Sequence, residues 1–162
     1  MEIIPAYVEA TVGSQLIVDV EGVEKGYSSG TVSMPSFYNL NKEAYSLTLS
    51  NGGGDYLSYE ITDVPDWVII DGETKDGFYV SRVLGVSVDW QKITKDTKGS
   101  FKVTSGGQTV TVDVAAKVVD VPADIHEKTA FVLNGMVSVV ADKYTDKGAS
   151  ADGTQWQVME NY

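Results

Sequence analysis

The feature that most constrains this chain is a strict two-residue alternation that recurs along its length. Tyr45, Leu47 and Leu49 alternate with Ser46, Thr48 and Ser50. Leu57, Tyr59 and Ile61 repeat the pattern, as do Val86, Val88 and Trp90 against Ser87 and Asp89. Val110, Val112 and Val114 do the same against Thr109, Thr111 and Asp113. Successive side chains on a strand point to opposite faces, so such runs build sheets with one buried face. No segment carries a sustained apolar stripe at the helical period. Turn-forming residues separate the runs, at Asn51-Gly52-Gly53-Gly54-Asp55, Asp71-Gly72, Asp76-Gly77 and Gly106-Gly107. Many short strands between such turns predict an all-β immunoglobulin-like sandwich over an α/β fold.

Strands are expected at residues 14–21, at Thr31–Met34, in the Tyr45 and Leu57 runs, at Trp67–Ile70 and from Phe78 to Trp90. Phe101 and Val103 lead into Gly106-Gly107 and Val110–Val114 lead out. A Gly-Gly turn suits a hairpin because both residues accept positive φ. The stretch from Asp71 to Gly77 reads as a polar loop. Residues 1–10 read as an N-terminal extension, 11–120 as the sandwich and 121–127 as a linker around Pro122. Residues 128–162 read as a β-rich tail, with Phe131–Leu133 and Met136–Ala141 flanking an Asn134-Gly135 turn and a last strand at Gln155–Met159. That tail is too short to bury a core alone, so it is expected to pack on the sandwich or to open a domain that continues past Tyr162.

Composition narrows the function classes. The 162 residues are 43% hydrophobic, enough for a substantial core. Acidic residues outnumber basic ones 23 to 12, for a net charge of −11, and Arg82 is the only arginine. Phosphate backbones and anionic lipid surfaces attract clustered Lys and Arg, so neither nucleic acid nor a membrane surface is expected as a partner. No run is long and apolar enough to span a bilayer, and Met1–Pro5 lacks the regions of a signal peptide. With no cysteine, disulfides and thiolate metal sites are excluded. His126, beside the linker, is the only histidine, which removes multi-histidine metal sites and limits triad chemistry to that one position.

Several segments, in order, resemble a known family. Ser33-Met34-Pro35-Ser36-Phe37, Tyr45–Gly52, Asp66-Trp67-Val68 and Val86–Trp90 are similar to the region that follows the catalytic core of glycoside hydrolase family 115, the xylan α-1,2-glucuronidases. Gly135–Tyr144 followed by Trp156 is similar to the opening of that family's C-terminal domain. The Trp67 and Trp90 segments also look like BACON-type sandwich modules, which accompany many glycan-degrading enzymes. The resemblance implies a non-catalytic accessory region of an exported, polysaccharide-degrading enzyme whose catalytic barrel lies upstream. It also implies that Tyr162 falls inside the family's last domain. No position here matches the catalytic part of that family, so no catalytic residue carries over.

The residues offer few sites. Trp67 and Trp90 could stack on sugar rings, but their strand contexts place them in the inter-sheet core. Trp156, with Tyr144 and Tyr162, is the candidate carbohydrate-binding set. Asp71, Glu73 and Asp76 superficially resemble a calcium loop, yet the central glycine and bidentate glutamate of an EF-hand are missing, so a solvated turn is expected. Asp142 reads as a surface residue. No acid pair is marked out for glycoside hydrolysis, and no metal or cofactor is expected. The expected partners are the catalytic domain of the parent enzyme, a xylan-type polysaccharide, and a second copy paired through the tail. Two rival readings are a carbohydrate-binding module that uses exposed aromatics and an immunoglobulin-like adhesion domain. An exposed set of aromatic rings would favour the first, and buried tryptophans would count against it.

Overall fold

The computed structural model describes residues 13–122 and 132–135. The chain divides into two compact units, Met1–Val119 and Asp120–Tyr162. Within the first, the described residues form ten strands and no helix: β1 (Leu16–Val20), β2 (Gly30–Ser33), β3 (Phe37–Tyr38), β4 (Tyr45–Asn51), β5 (Leu57–Thr62), β6 (Val68–Asp71), β7 (Lys75–Phe78), β8 (Ser81–Val88), β9 (Thr97–Ser105) and β10 (Gln108–Lys117). They make two sheets. One has the order β1-β4-β8-β6; the other runs β2-β10-β9-β5-β7, with β3 also paired to β10. The first order matches the ABED sheet of an immunoglobulin-like sandwich, and β5, β9 and β10 occupy the CFG positions of the second. The fold is therefore all-β and immunoglobulin-like, as the alternation predicts.

Each alternating run buries one face. Leu47 and Leu49 of β4, Leu84 and Val86 of β8, and Leu16 and Val18 of β1 point inward from the first sheet. Leu57, Phe101, Val103, Val110 and Val112 meet them from the second, and Phe37 fills the space beside Tyr45 with ring centroids 4.8 Å apart. No buried side-chain polar atom lacks a hydrogen-bond partner among the described residues. The outer faces carry Ser, Thr, Lys and Asp, with exposed ion pairs such as Lys75–Glu60 and Lys102–Asp63. Pairs of that kind add little stability.

The turns follow their chemistry. Gly106 and Gly107 have φ of 53° and 85°, which is what a two-residue hairpin between β9 and β10 requires. Asn134 and Gly135 have φ of 50° and 79°, the same turn geometry; of the strands expected on either side, only Val132 and Leu133 are among the described residues, with Val132 exposed.

Two expectations are corrected, and one strand goes beyond them. The Asp71–Gly77 stretch is not all loop, because β7 begins at Lys75 and pairs with β5 from Leu57↔Phe78 to Glu60↔Lys75. It reads as polar because β7 is an edge strand, and charged residues keep an edge from pairing further. The Phe78–Trp90 run is not one strand. It breaks at Tyr79-Val80, where the chain leaves the six-stranded sheet and enters the four-stranded one as β8. Finally, β3 has no alternation to announce it. Ser33 pairs with Asp113 and Phe37 with Ala116, so Met34, Pro35 and Ser36 oppose only Val114 and Ala115. The extra residue forms a bulge at Pro35, which has no N–H to give to a ladder.

Candidate functional site

Trp67 and Trp90 serve the frame. Trp67 is 8% exposed and packs with Pro65 over Gly99 of β9. A Cβ at Gly99 would lie 2.9 Å from Pro65 Cγ and 3.0 Å from Trp67 Cζ2, so only glycine leaves room for this lid on the core. The Trp67 carbonyl also accepts the Asp89 N–H at 2.9 Å, which ties the turn before β6 to the end of β8. Trp90 lies just beyond β8, half-buried against the core and not fully within it.

The exposed rings lie elsewhere. Tyr56 is 50% exposed and Tyr79 66%, and their ring centroids are 5.1 Å apart at an interplanar angle of 69°. The register explains the meeting. Leu57 pairs with Phe78, so the next positions out, Tyr56 and Tyr79, stand opposite each other just past the end of the β5–β7 ladder. The Tyr56 ring lies across Gly77, where a Cβ would come within 2.5 Å of Cε1. Val80 follows at 77% exposure.

Asn51 holds this corner in place. Its Nδ2 donates to the carbonyls of Asp55 at 2.7 Å and Tyr79 at 3.1 Å. Its Oδ1 accepts the N–H of Gln15 at 3.1 Å and of Gly53 at 3.0 Å, and its own N–H donates to the Val80 carbonyl at 2.9 Å. One side chain thus joins the Gly-rich turn, the approach to β1 and the Tyr79-Val80 crossover.

The acidic residues near this corner are used locally. Asp76 pairs with Arg82, and the backbone carbonyl of Glu73 accepts the Tyr59 hydroxyl at 2.7 Å. Burial pushes the Tyr59 phenol above its usual range, and the Asp76 charge pushes the same way, while Arg82 opposes both. Asp71 and Glu73 are exposed, and no group of three or more metal-ligating side chains occurs among the described residues. A shallow open groove of about 400 Å³ crosses the outer face of the six-stranded sheet between Ser33, Lys98, Ser100 and Asp113.

The expected candidates Trp156, Tyr144 and Tyr162, and also His126 and Asp142, lie outside the described residues. Sequence reasoning missed the Tyr56–Tyr79 pair. The available signal was a Tyr-Val crossover where turns ordinarily place Gly, Asn, Asp or Ser, together with alternation that turns both tyrosines away from Leu57 and Phe78.

No family model matches the chain, and no curated protein matches it. Among solved structures it is similar to a Bacteroides ovatus GH5 xyloglucanase in complex with a XXXG heptasaccharide, at 14% identity and a TM-score of 0.43. That match covers 70% of this chain and 21% of the xyloglucanase. It is also similar to an Ig-like domain of human Obscurin-like protein 1, at 13% identity and a TM-score of 0.31, over 65% of this chain and 90% of that domain.

Proposed function

We propose that this chain is a non-catalytic accessory region of a polysaccharide-degrading glycoside hydrolase, akin to the region after the core of the xylan α-1,2-glucuronidases. The observation that carries the reading is where the resembling segments fall. Ser33–Phe37, Tyr45–Gly52, Asp66–Val68 and Val86–Trp90 lie on strands and their turns, and Phe37, Tyr45, Leu47, Leu49, Trp67, Val86 and Val88 among them are buried. The shared residues are frame residues. A frame positions or joins other parts, and that is the role assigned here.

The partners under this reading are the catalytic domain of the parent enzyme and a second copy of the chain, in an exported setting.

Two measurements test the proposal. The reading frame upstream of Met1 should encode a hydrolase catalytic domain, and an unrelated adhesin there would overturn the reading. The purified chain, incubated with glucuronoxylan, should release neither glucuronic nor methylglucuronic acid. Release that survives purification would make the chain itself an enzyme.

A further inference from the structure

We infer that the corner formed by Tyr56, Tyr79 and Val80 is a binding site for a neutral, extended polysaccharide, with the Tyr79 ring as its stacking surface. The ligand class rests on the accessory-region reading above; the site rests on geometry.

The crossover from β7 to β8 is held through its backbone, by Asn51 at the Tyr79 and Val80 carbonyls. Gly, Asn, Asp and Ser serve such turns at lower cost, yet this one exposes a tyrosine and a valine at 66% and 77%. Tyr56 does have a structural task, because its ring covers Gly77. It is therefore the wall against which Tyr79 stands and a positioning residue for it. Tyr79 is the more exposed ring and offers the free face. An aromatic face suits the apolar C–H face of a pyranose, and the hydroxyl at the ring's tip remains available for a hydrogen bond.

The corner is also preorganised. The carbonyls of Tyr79 and Val80 are both held by Asn51, so little freedom of this backbone is left to lose on binding, and a weak ligand gains most from such a site.

Size and charge select the occupant. The three exposed side chains present on the order of 400 Å², short of the roughly 800 Å² per partner that a stable protein interface buries. One ring and its flank match one or two sugar units. No lysine occurs in 51–57 or 76–83, and Arg82 is engaged by Asp76. With a net charge of −11, the chain repels polyanions, so the glycan is a neutral one.

Native affinity electrophoresis of the full chain tests the site, in gels that contain arabinoxylan, xyloglucan or polygalacturonate. The expected result is retardation by a neutral glycan and none by polygalacturonate. Tyr79→Ala and Val80→Asp should each weaken retention about tenfold with an unchanged melting temperature. Free migration in both neutral gels, equal retention in polygalacturonate, or full retention by both variants would overturn the inference. Should Tyr79→Ala fail to fold, Val80→Asp decides alone, because it leaves both rings intact. No retention alongside a hydrolase encoded upstream would remove the ring site and leave the accessory role standing. Retention without such a hydrolase would do the reverse.

Discussion

Single residues in this protein do measurable work where one side chain answers several needs. Asn51 is the clearest case. Its four side-chain hydrogen bonds are partly or fully exposed, and each is worth about 0.5–1.5 kcal/mol at most. Asn51→Ala should therefore cost about 1–3 kcal/mol in urea unfolding, and a loss below the error of the measurement would show that water replaces all four bonds. Trp67→Ala should cost about 3–5 kcal/mol, because the ring is buried and Gly99 leaves no side chain to refill the space. Trp90→Ala should cost clearly less, since that ring is only half-buried; equal losses would contradict the placement. Asp96 adds a pH effect. Its carboxyl is held below its ordinary value of 3.8 by hydrogen bonds from Lys117 and the Val118 N–H. A carboxyl with a lowered folded-state pKa stabilises the fold above its unfolded value, and that contribution fades as pH falls through the folded value. Asp96→Asn should thus melt slightly below the wild type at neutral pH, with the gap closing below about pH 4. A gap that persists at pH 2 would mean the change acts by another route. The effect is small because the pair is at the surface.

At the scale of elements, the hairpin and the crossover behave differently. The β9–β10 hairpin is local, and its register runs unbroken from Gln108↔Ser105 to Ala116↔Thr97. Its turn needs positive φ at both residues, so Gly107→Ala should cost about 1–2 kcal/mol, measured by urea denaturation. An unchanged midpoint would show that the turn can relax to another type without cost. The hairpin was legible because both the alternation and the Gly-Gly turn are local signals. The β7–β8 crossover was not, because period-two reasoning sees faces and not sheets. Phe78 and Val86 both point inward, but from opposite sheets. β3 escaped notice for a related reason. Its two residues are held by parallel pairing with β10, a contact between distant parts of the chain that leaves no local pattern.

For the molecule as a whole, the described core draws on one stretch of chain. Every buried apolar side chain among the described residues lies between Leu16 and Ala116, and among the described strands the outermost ones of each sheet belong to this same stretch. A chain cut to residues 13–122 should therefore keep a cooperative unfolding transition by circular dichroism. A broad, non-cooperative melt would mean that the sandwich depends on what flanks it.

The sequence by itself determined that this chain is a sandwich. Period-two alternation, glycine turns and the lack of a helical stripe are properties of neighbours along the chain, and they dictate which face of each strand is buried. Net charge and the absence of cysteine likewise narrowed the chemistry, since both are properties of composition alone. Only the tertiary structure decided which sheet each strand joins, because strand order depends on pairings between residues far apart in sequence. Strand context already placed Trp67 in the core, but only the tertiary structure decided that Trp90 stays half-buried and that Tyr56 and Tyr79 stand in solvent. Each of Trp67 and Tyr56 lies across a glycine on another strand, Gly99 and Gly77, and what separates them is the face: Trp67 caps the core, whereas Tyr56 is turned outward beside the inward-facing Leu57.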